Sequence, residues 1–285
     1  MWFAVRDGGG SLDVVASAVP AIAFAAFIAG MLLLGFHRFV AASTALSLSL
    51  VGLVAIVEPR LPRRTAVPSP GITVVSDNVL RNSRWPGPAA DLMTSQGADV
   101  VVSVEMGTSY VAHMDEHTDR YPYAAVSEEQ GVWSRWPIEL LPPVDGLAPS
   151  RIARVAVDAD WGRFIVYAIH LYNPLHESTL ADQQRLLDEL IAAADAESDP
   201  VIMAGDFNMS DRTSGYRELE GQMRDAMRTG WWAASTYRHG VWRALSLRID
   251  QLFVPQAWCA AGATTFRVPG SDHIAIQATV GPCPS

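Results

Sequence analysis

Val201-Ile202-Met203-Ala204-Gly205-Asp206-Phe207-Asn208-Met209 is an apolar run that delivers a carboxylate and a carboxamide together. A short apolar run bounded by glycine predicts a buried strand, and the C-terminal end of such a strand is where α/β sheets carry chemistry. With period-2 geometry Asp206 and Asn208 point to the same side. The first can orient or activate water, and the second can hydrogen-bond a phosphoryl oxygen. Gly-Asp-x-Asn is also an ordinary turn signal, so its meaning depends on what surrounds it.

Other apolar strands end in the same way. Asn78 closes Val-Ser-Asp-Asn-Val, Glu105 closes Val-Ser-Val-Glu-Met, His170 closes Tyr-Ala-Ile-His-Leu, Asp250 lies in Leu-Arg-Ile-Asp-Gln-Leu-Phe, and Asp272-His273 lie in Gly-Ser-Asp-His-Ile. Carboxylates, carboxamides and imidazoles gathered at strand ends are costly to bury unpaired, and a hard cation with an anionic substrate would satisfy them. Strands are predicted at 72–75, 99–104, 132–133, 151–157, 164–169, 201–204, 249–254 and 274–280. Helices are predicted at 89–96 and at 180–194, where Leu186, Leu187, Leu190 and Ile191 follow helical spacing.

In this order the segments resemble the endonuclease/exonuclease/phosphatase superfamily, the group of pancreatic deoxyribonuclease, abasic-site endonucleases, neutral sphingomyelinases and inositol phosphatases, from about Ile72 to Val280. Tyr121-Pro122-Tyr123 and Ser134-Arg135-Trp136-Pro137 resemble its connecting segments. The resemblance implies an α/β fold, a four-layer α/β/β/α sandwich of the deoxyribonuclease I type, and metal-dependent attack of water on a phosphoester or phosphoanhydride. It further implies Asn78, Glu105 and Asp272 at a divalent metal, Mg²⁺ or Mn²⁺. Asp250 and His273 would form a carboxylate-imidazole pair, Asp206 would orient or deprotonate water, Asn208 would hold a non-bridging oxygen, and His170 would stabilise developing charge or protonate the leaving oxygen. Either Asp206 or His273 could be the formal base. A carboxylate orienting His170 is expected, with Glu128 and Glu129 as candidates.

The N-terminal fifth is different in kind. Residues 14–36 and 39–57 are charge-free, separated by His37-Arg38, and at about 1.5 Å per residue each is long enough to cross a bilayer. They predict a transmembrane helical hairpin, with small residues letting the helices approach closely. Pro and Arg residues in 58–70 predict an extended spacer, so the organisation expected is an anchor at 1–57, a linker at 58–70 and a catalytic domain at 71–285. All 21 basic residues are Arg, which is read as a codon effect of a GC-rich genome. Two cysteines, Cys259 and Cys283, exclude a disulfide framework or a Cys-based metal site but permit one bridge.

From Pro70 onward 16 Arg face 27 acids, an excess of 11 negative charges, which disfavours nucleic acid. Trp231-Trp232 and the aromatic loop 237–242 are read as packing or membrane-interface residues, and Arg81, Arg84, Arg238 and Arg243 as loop arginines that could reach a substrate phosphate. The expected substrate is a membrane lipid or lipid-linked (pyro)phosphate, with a tethered nuclease acting on DNA as the alternative and a non-catalytic binding or signalling module on the same scaffold as a third. The architecture also resembles bacterial membrane-anchored members associated with glycopeptide resistance, and the catalytic domain is expected outside the cytoplasm, although counting Arg6, Arg60, Arg63 and Arg64 against Arg38 points inward.

Overall fold

The computed structural model describes residues 11–57, 61–63, 65–174, 177–230, 235–237 and 247–284. Trp231-Trp232, Arg238 and Arg243, most of the 237–242 loop, and the arginines at 6, 60 and 64 lie outside them. Three helices lead, α1 (Ser11–Ser17), α2 (Val19–Gly35) and α3 (Phe39–Val57). The single helix expected over 14–36 is broken at Ala18, because Pro20 in the first turn of α2 has no N–H to donate backward and its ring crowds the preceding turn. α2 and α3 form a hairpin turning at His37, whose φ is 55°. They meet where glycine permits: a Cβ on Gly30 would stand 2.7 Å from Leu46 Cγ, and one on Gly52 2.6 Å from Ala23 Cβ.

Among the described residues no helix is long and apolar enough to cross a membrane. α2 has 17 residues and α3 has 19, about 25 and 28 Å of helix against a hydrocarbon thickness of about 30 Å. The transmembrane hairpin expected at 14–36 and 39–57 is therefore not shown by the fold.

Two six-stranded sheets follow. The first contains β1 (Ile72–Asn78), β2 (Val100–Val104), β3 (Tyr123–Ser127), β4 (Gln130–Ser134), β11 (Trp258–Phe266) and β12 (Ala275–Pro282), in the order β11-β12-β1-β2-β4-β3. The second contains β5 (Ile138–Leu140), β6 (Ile152–Ala159), β7 (Gly162–His170), β8 (Val201–Asp206), β9 (Met223–Asp225) and β10 (Asp250–Pro255), in the order β5-β6-β7-β8-β10-β9. Their inner faces make one core from Val74, Val102 and Val132 on one side and Val155, Val166 and Ala204 on the other. Outside the second sheet, Leu186, Leu187 and Leu190 of α6 (Glu177–Asp195) pack on Tyr167, Met203 and Phe253, with Tyr216 of α7 (Ser214–Gln222) beside them. Outside the first, α4 (Pro86–Ser95) and α5 (Thr108–Met114) bring Met93, Tyr110 and Met114 onto Val75, Val101 and Trp133. Helix, sheet, sheet, helix is the four-layer α/β arrangement expected.

Strand β11 was missed because Trp258-Cys-Ala-Ala-Gly-Ala alternates no apolar and polar side chains. It is an edge strand whose register shifts between Ala261 and Thr264. Cys259 and Cys283 are bridged across the ends of β11 and β12, with Cα atoms 4.8 Å apart.

The spacer does not stand away from the domain. Arg63 donates its backbone N–H to Arg228 O at 2.6 Å and pairs with Glu220, and Thr65 Oγ1 donates to Ala260 O at 2.5 Å. α1 also docks there. Asp13 accepts from the backbone N–H and the hydroxyl of Ser214 at 2.8 and 2.6 Å, at the first residue of α7, and Ser17 Oγ lies 3.0 Å from Ser210 Oγ.

Gly205 lies where β8 passes closest to β7. Its φ is 140°, and a Cβ there would come within 2.0 Å of Ile169 O. Gly205→Ala is expected to cost about 2 kcal/mol or more, since it meets both a left-handed backbone and a neighbouring main chain. Chemical denaturation of the two proteins checks this.

Candidate active site

β1 and β2 are parallel, as are β7 and β8, while β10 runs antiparallel to β8 and β12 antiparallel to β1. The C-terminal ends of four strands and the N-terminal ends of two others therefore lie at one edge of the sandwich. Asn78 ends β1, Glu105 follows β2, His170 ends β7, Asp206 ends β8, Asp250 opens β10 and His273 precedes β12. Asp206 has both His170 and Asp250 as its register partners.

Asn78 holds the two carboxylates across the sheets. Its Nδ2 donates to Glu105 Oε1 at 2.8 Å and to Asp206 Oδ2 at 3.1 Å, while its Oδ1 accepts from Leu80 N–H at 3.1 Å. In this arrangement its amide nitrogen, not its oxygen, faces the carboxylates. Glu105 takes a left-handed φ of 53° and Asn208 one of 50°. The strand period thus stops at Asp206: Phe207 turns into the outer core and Asn208 leaves the alternation. Asn208 still reaches back, its N–H donating to Asp206 Oδ1 at 2.8 Å and its Nδ2 to Leu171 O at 3.0 Å and Asp206 Oδ2 at 3.3 Å. Gln183 of α6 fixes this turn by donating to the carbonyls of Tyr172, Phe207 and Asn208.

His273 Nδ1 lies 2.8 Å from Asp250 Oδ2, leaving Nε2 3.7 Å from Asp206 Oδ2. Two residues before Asp250, the buried Arg248 donates to Asp225 Oδ2 at 2.6 Å, to Tyr216 OH at 3.0 Å and to Asp211 Oδ2 at 3.4 Å. That network ties the start of β10 to the segment after Asn208. His170 Nε2 lies 3.1 Å from Glu105 Oε1. The carboxylate sought for His170 is neither Glu128 nor Glu129, which pairs with Arg81; Arg151 stands at the other ring nitrogen instead. Asp272, expected beside the metal, is half-buried and belongs to neither group of metal-competent side chains.

Charge is concentrated here. Burial acts to raise Glu105, but hydrogen bonds from His170 and Asn78 hold it down at about 2. Burial raises Asp206 above the ordinary carboxylate range, with His273 pulling the other way. Asp77, missed in the sequence, is fully buried one residue before Asn78, and neither of its oxygens has a hydrogen-bond partner. The nearby Ser271 hydroxyl instead donates to Asn78 O at 2.5 Å. Burial and then Asp250 push Asp77 well above its usual range.

Glu105, His170 and Asp206 offer ligand atoms within 4.8 Å of one another, as do Asp206, Asp250 and His273. One oxygen of the buried Asp250 also has no partner. Surplus buried negative charge carried by oxygen donors is what a hard divalent cation neutralises, so the donor set fits one.

The endonuclease/exonuclease/phosphatase family model matches residues 76–273, from the end of β1 to the histidine before β12. The chain belongs to this family. As a member of the endonuclease/exonuclease/phosphatase family it is a metal-dependent hydrolase of phosphoester bonds. Among curated proteins no sequence matches it. Among solved structures it is similar to an endonuclease/exonuclease/phosphatase from Beutenbergia cavernae, with 17% identity over 75% of this chain and 72% of that one and a TM-score of 0.56. It is also similar to sphingomyelinase C from Streptomyces griseocarneus, with 18% identity over 74% and 99% and a TM-score of 0.54. A humanized D. rerio TDP2 carrying 14 mutations gives 18% identity over 74% and 99% and a TM-score of 0.57. At these identities the likeness is one of fold.

Burial acts to lower His273, but Asp250 and Asp206 outweigh it and raise the imidazole from 6.5 to about 10. A raised folded-state value contributes stability that is complete below the unfolded value and is lost as pH climbs through the folded one. In chelator, the melting temperature is therefore expected to fall more between pH 7 and about pH 10 in the native protein than in His273→Gln. Parallel falls in the two proteins would refute the assignment.

Proposed function

We propose that the protein is a membrane-associated phosphoesterase whose substrate is a membrane lipid or lipid-linked (pyro)phosphate. The observation that carries this reading is the surface of the helical hairpin. Phe24 is 68% exposed, Phe36 75% and Val40 84%, in helices that are apolar around their circumference. A helix of that kind needs an apolar surrounding, which a bilayer would supply. Because α1 and the linker bond to the catalytic domain, such a bilayer contact would lie near lipid head groups. The disulfide supports an oxidising compartment outside the cytoplasm.

Glu105 and Asp206 would hold the ion, with Asn78 fixing both and Asp272, the neighbour of His273, near it. Their oxygens suit Mg²⁺ or Mn²⁺, which when bound would neutralise phosphoryl charge. The remaining work belongs to the chain. Asp206 Oδ2 and His273 Nε2 are near enough for one water to hydrogen-bond both at about 2.8 Å. Asp250 fixes the His273 ring so that Nε2 faces that water. Asn208 and His170 border the place of a phosphoryl group: Asn208 Nδ2 would exchange its 3.3 Å bond to Asp206 Oδ2 for one to a phosphoryl oxygen, and His170 would donate from Nε2.

Mg²⁺-dependent hydrolysis by the full-length protein in detergent, with lipid phosphates and plasmid DNA side by side, tests the reading. Lipid turnover reduced about 10²-fold or more by His273→Ala is expected. Plasmid nicking without lipid turnover would instead establish a nuclease, against the acidic surface.

A further inference from the structure

The two imidazoles at the catalytic edge have opposite surroundings. His273 turns Nδ1 to a carboxylate, Asp250 Oδ2 at 2.8 Å. His170 turns Nδ1 to a guanidinium nitrogen, Arg151 Nη1 at 3.4 Å, and Nε2 to Glu105 Oε1 at 3.1 Å. A guanidinium carries five donors and no acceptor, so His170 Nδ1 can meet it only with its lone pair. The proton of the neutral ring then sits on Nε2, where Glu105 accepts it. Arg151 is itself held in place: its carbonyl accepts from His170 N–H at 2.7 Å, and its guanidinium lies over the Tyr172 ring, 4.6 Å from the centroid.

We propose that Arg151, backed by Tyr172, is a positioning residue that fixes His170 as its Nε2–H tautomer, so that the donor which Glu105 accepts here, and not a lone pair, is what the imidazole can turn to a phosphoryl oxygen. The division of labour follows from the partners. His273, oriented by a carboxylate, presents Nε2 beside Asp206 and the water. His170, its Nδ1 facing a cation, presents its donor at Nε2 for oxygen that gains charge. This rests on the reading of His170 as a group at the reacting phosphoryl centre.

The test uses full-length, metal-free protein in detergent micelles, labelled with ¹⁵N-histidine, with the His170 signals assigned by their loss in His170→Ala. The native ring is expected to show a protonated Nε2 and a bare Nδ1. Arg151→Met keeps the stem and removes the donors. It is expected to give a mixture of tautomers and, in the Mg²⁺-supplemented lipid-phosphate assay, to lower kcat about 10–100-fold, as losing an orienting partner does, with KM unchanged. Arg151→Lys restores a donor and is expected to recover both the tautomer and most of kcat. Tyr172→Leu, which leaves Arg151 in the chain, is expected to shift both readouts the same way and serves if the methionine variant does not fold. An unchanged tautomer in Arg151→Met overturns the proposal, as does a rise in KM with kcat intact, which would put Arg151 on the substrate. Full activity in His170→Ala alongside a shifted tautomer in Arg151→Met would overturn the catalytic reading of His170 while leaving the tautomer assignment standing.

Discussion

Three aspartates, Asp77, Asp206 and Asp250, are withdrawn from water at one edge of the sandwich, and much of the surrounding architecture serves to hold them there. An isolated buried carboxylate is among the most expensive things a fold can contain. Asn78 spans Glu105 and Asp206, the Asp250–His273 pair shares a proton, and the Asn208 turn wraps Asp206 with a backbone N–H and an amide. Even so, both oxygens of Asp77 and one of Asp250 are left without partners. Such a surplus of unpartnered carboxyl oxygens is poor design for stability alone and good design for taking up a cation and an anionic substrate together.

Rigidity at this edge is supplied from behind. Gly205 lets β8 press against β7, Gln183 clamps the turn from α6, and the Arg248–Asp225–Tyr216 network anchors the start of β10. None of these groups touches the reacting centre. Each removes a degree of freedom from a side chain that does, which is how polar groups on strand ends keep a geometry that loops alone would lose.

The N-terminal helices join the same framework. Asp13 binds the first turn of α7, and Ser17 meets Ser210, four residues after Asp206. The described part of the linker runs along the domain and bonds to it. The apolar hairpin is thus bracketed by two segments, α1 and the linker, that bond to the catalytic domain.

The family order of motifs, the buried strands and the identities of Asn78, Glu105, His170, Asp206, Asn208, Asp250 and His273 could all be read from the chain, because a polar residue at the end of an apolar run leaves a local signature. Short strands such as β9 and the small-residue edge strand β11 left none, because their pairing depends on neighbours distant in sequence. Asp77 was visible only as a charge in an apolar strand. Arg151 stood unnoticed before β6, since nothing local distinguishes a solvated arginine from one lying against an imidazole. The sequence by itself determined which groups meet at the strand edge, through hydrophobic pattern and strand termini. The tertiary structure alone decided how they face one another: that a guanidinium meets His170 at Nδ1 while Glu105 meets it at Nε2, that Asn208 leaves the strand period, and that the linker lies on the domain. Those outcomes depend on φ angles and on contacts between segments far apart in the chain, which no local pattern encodes.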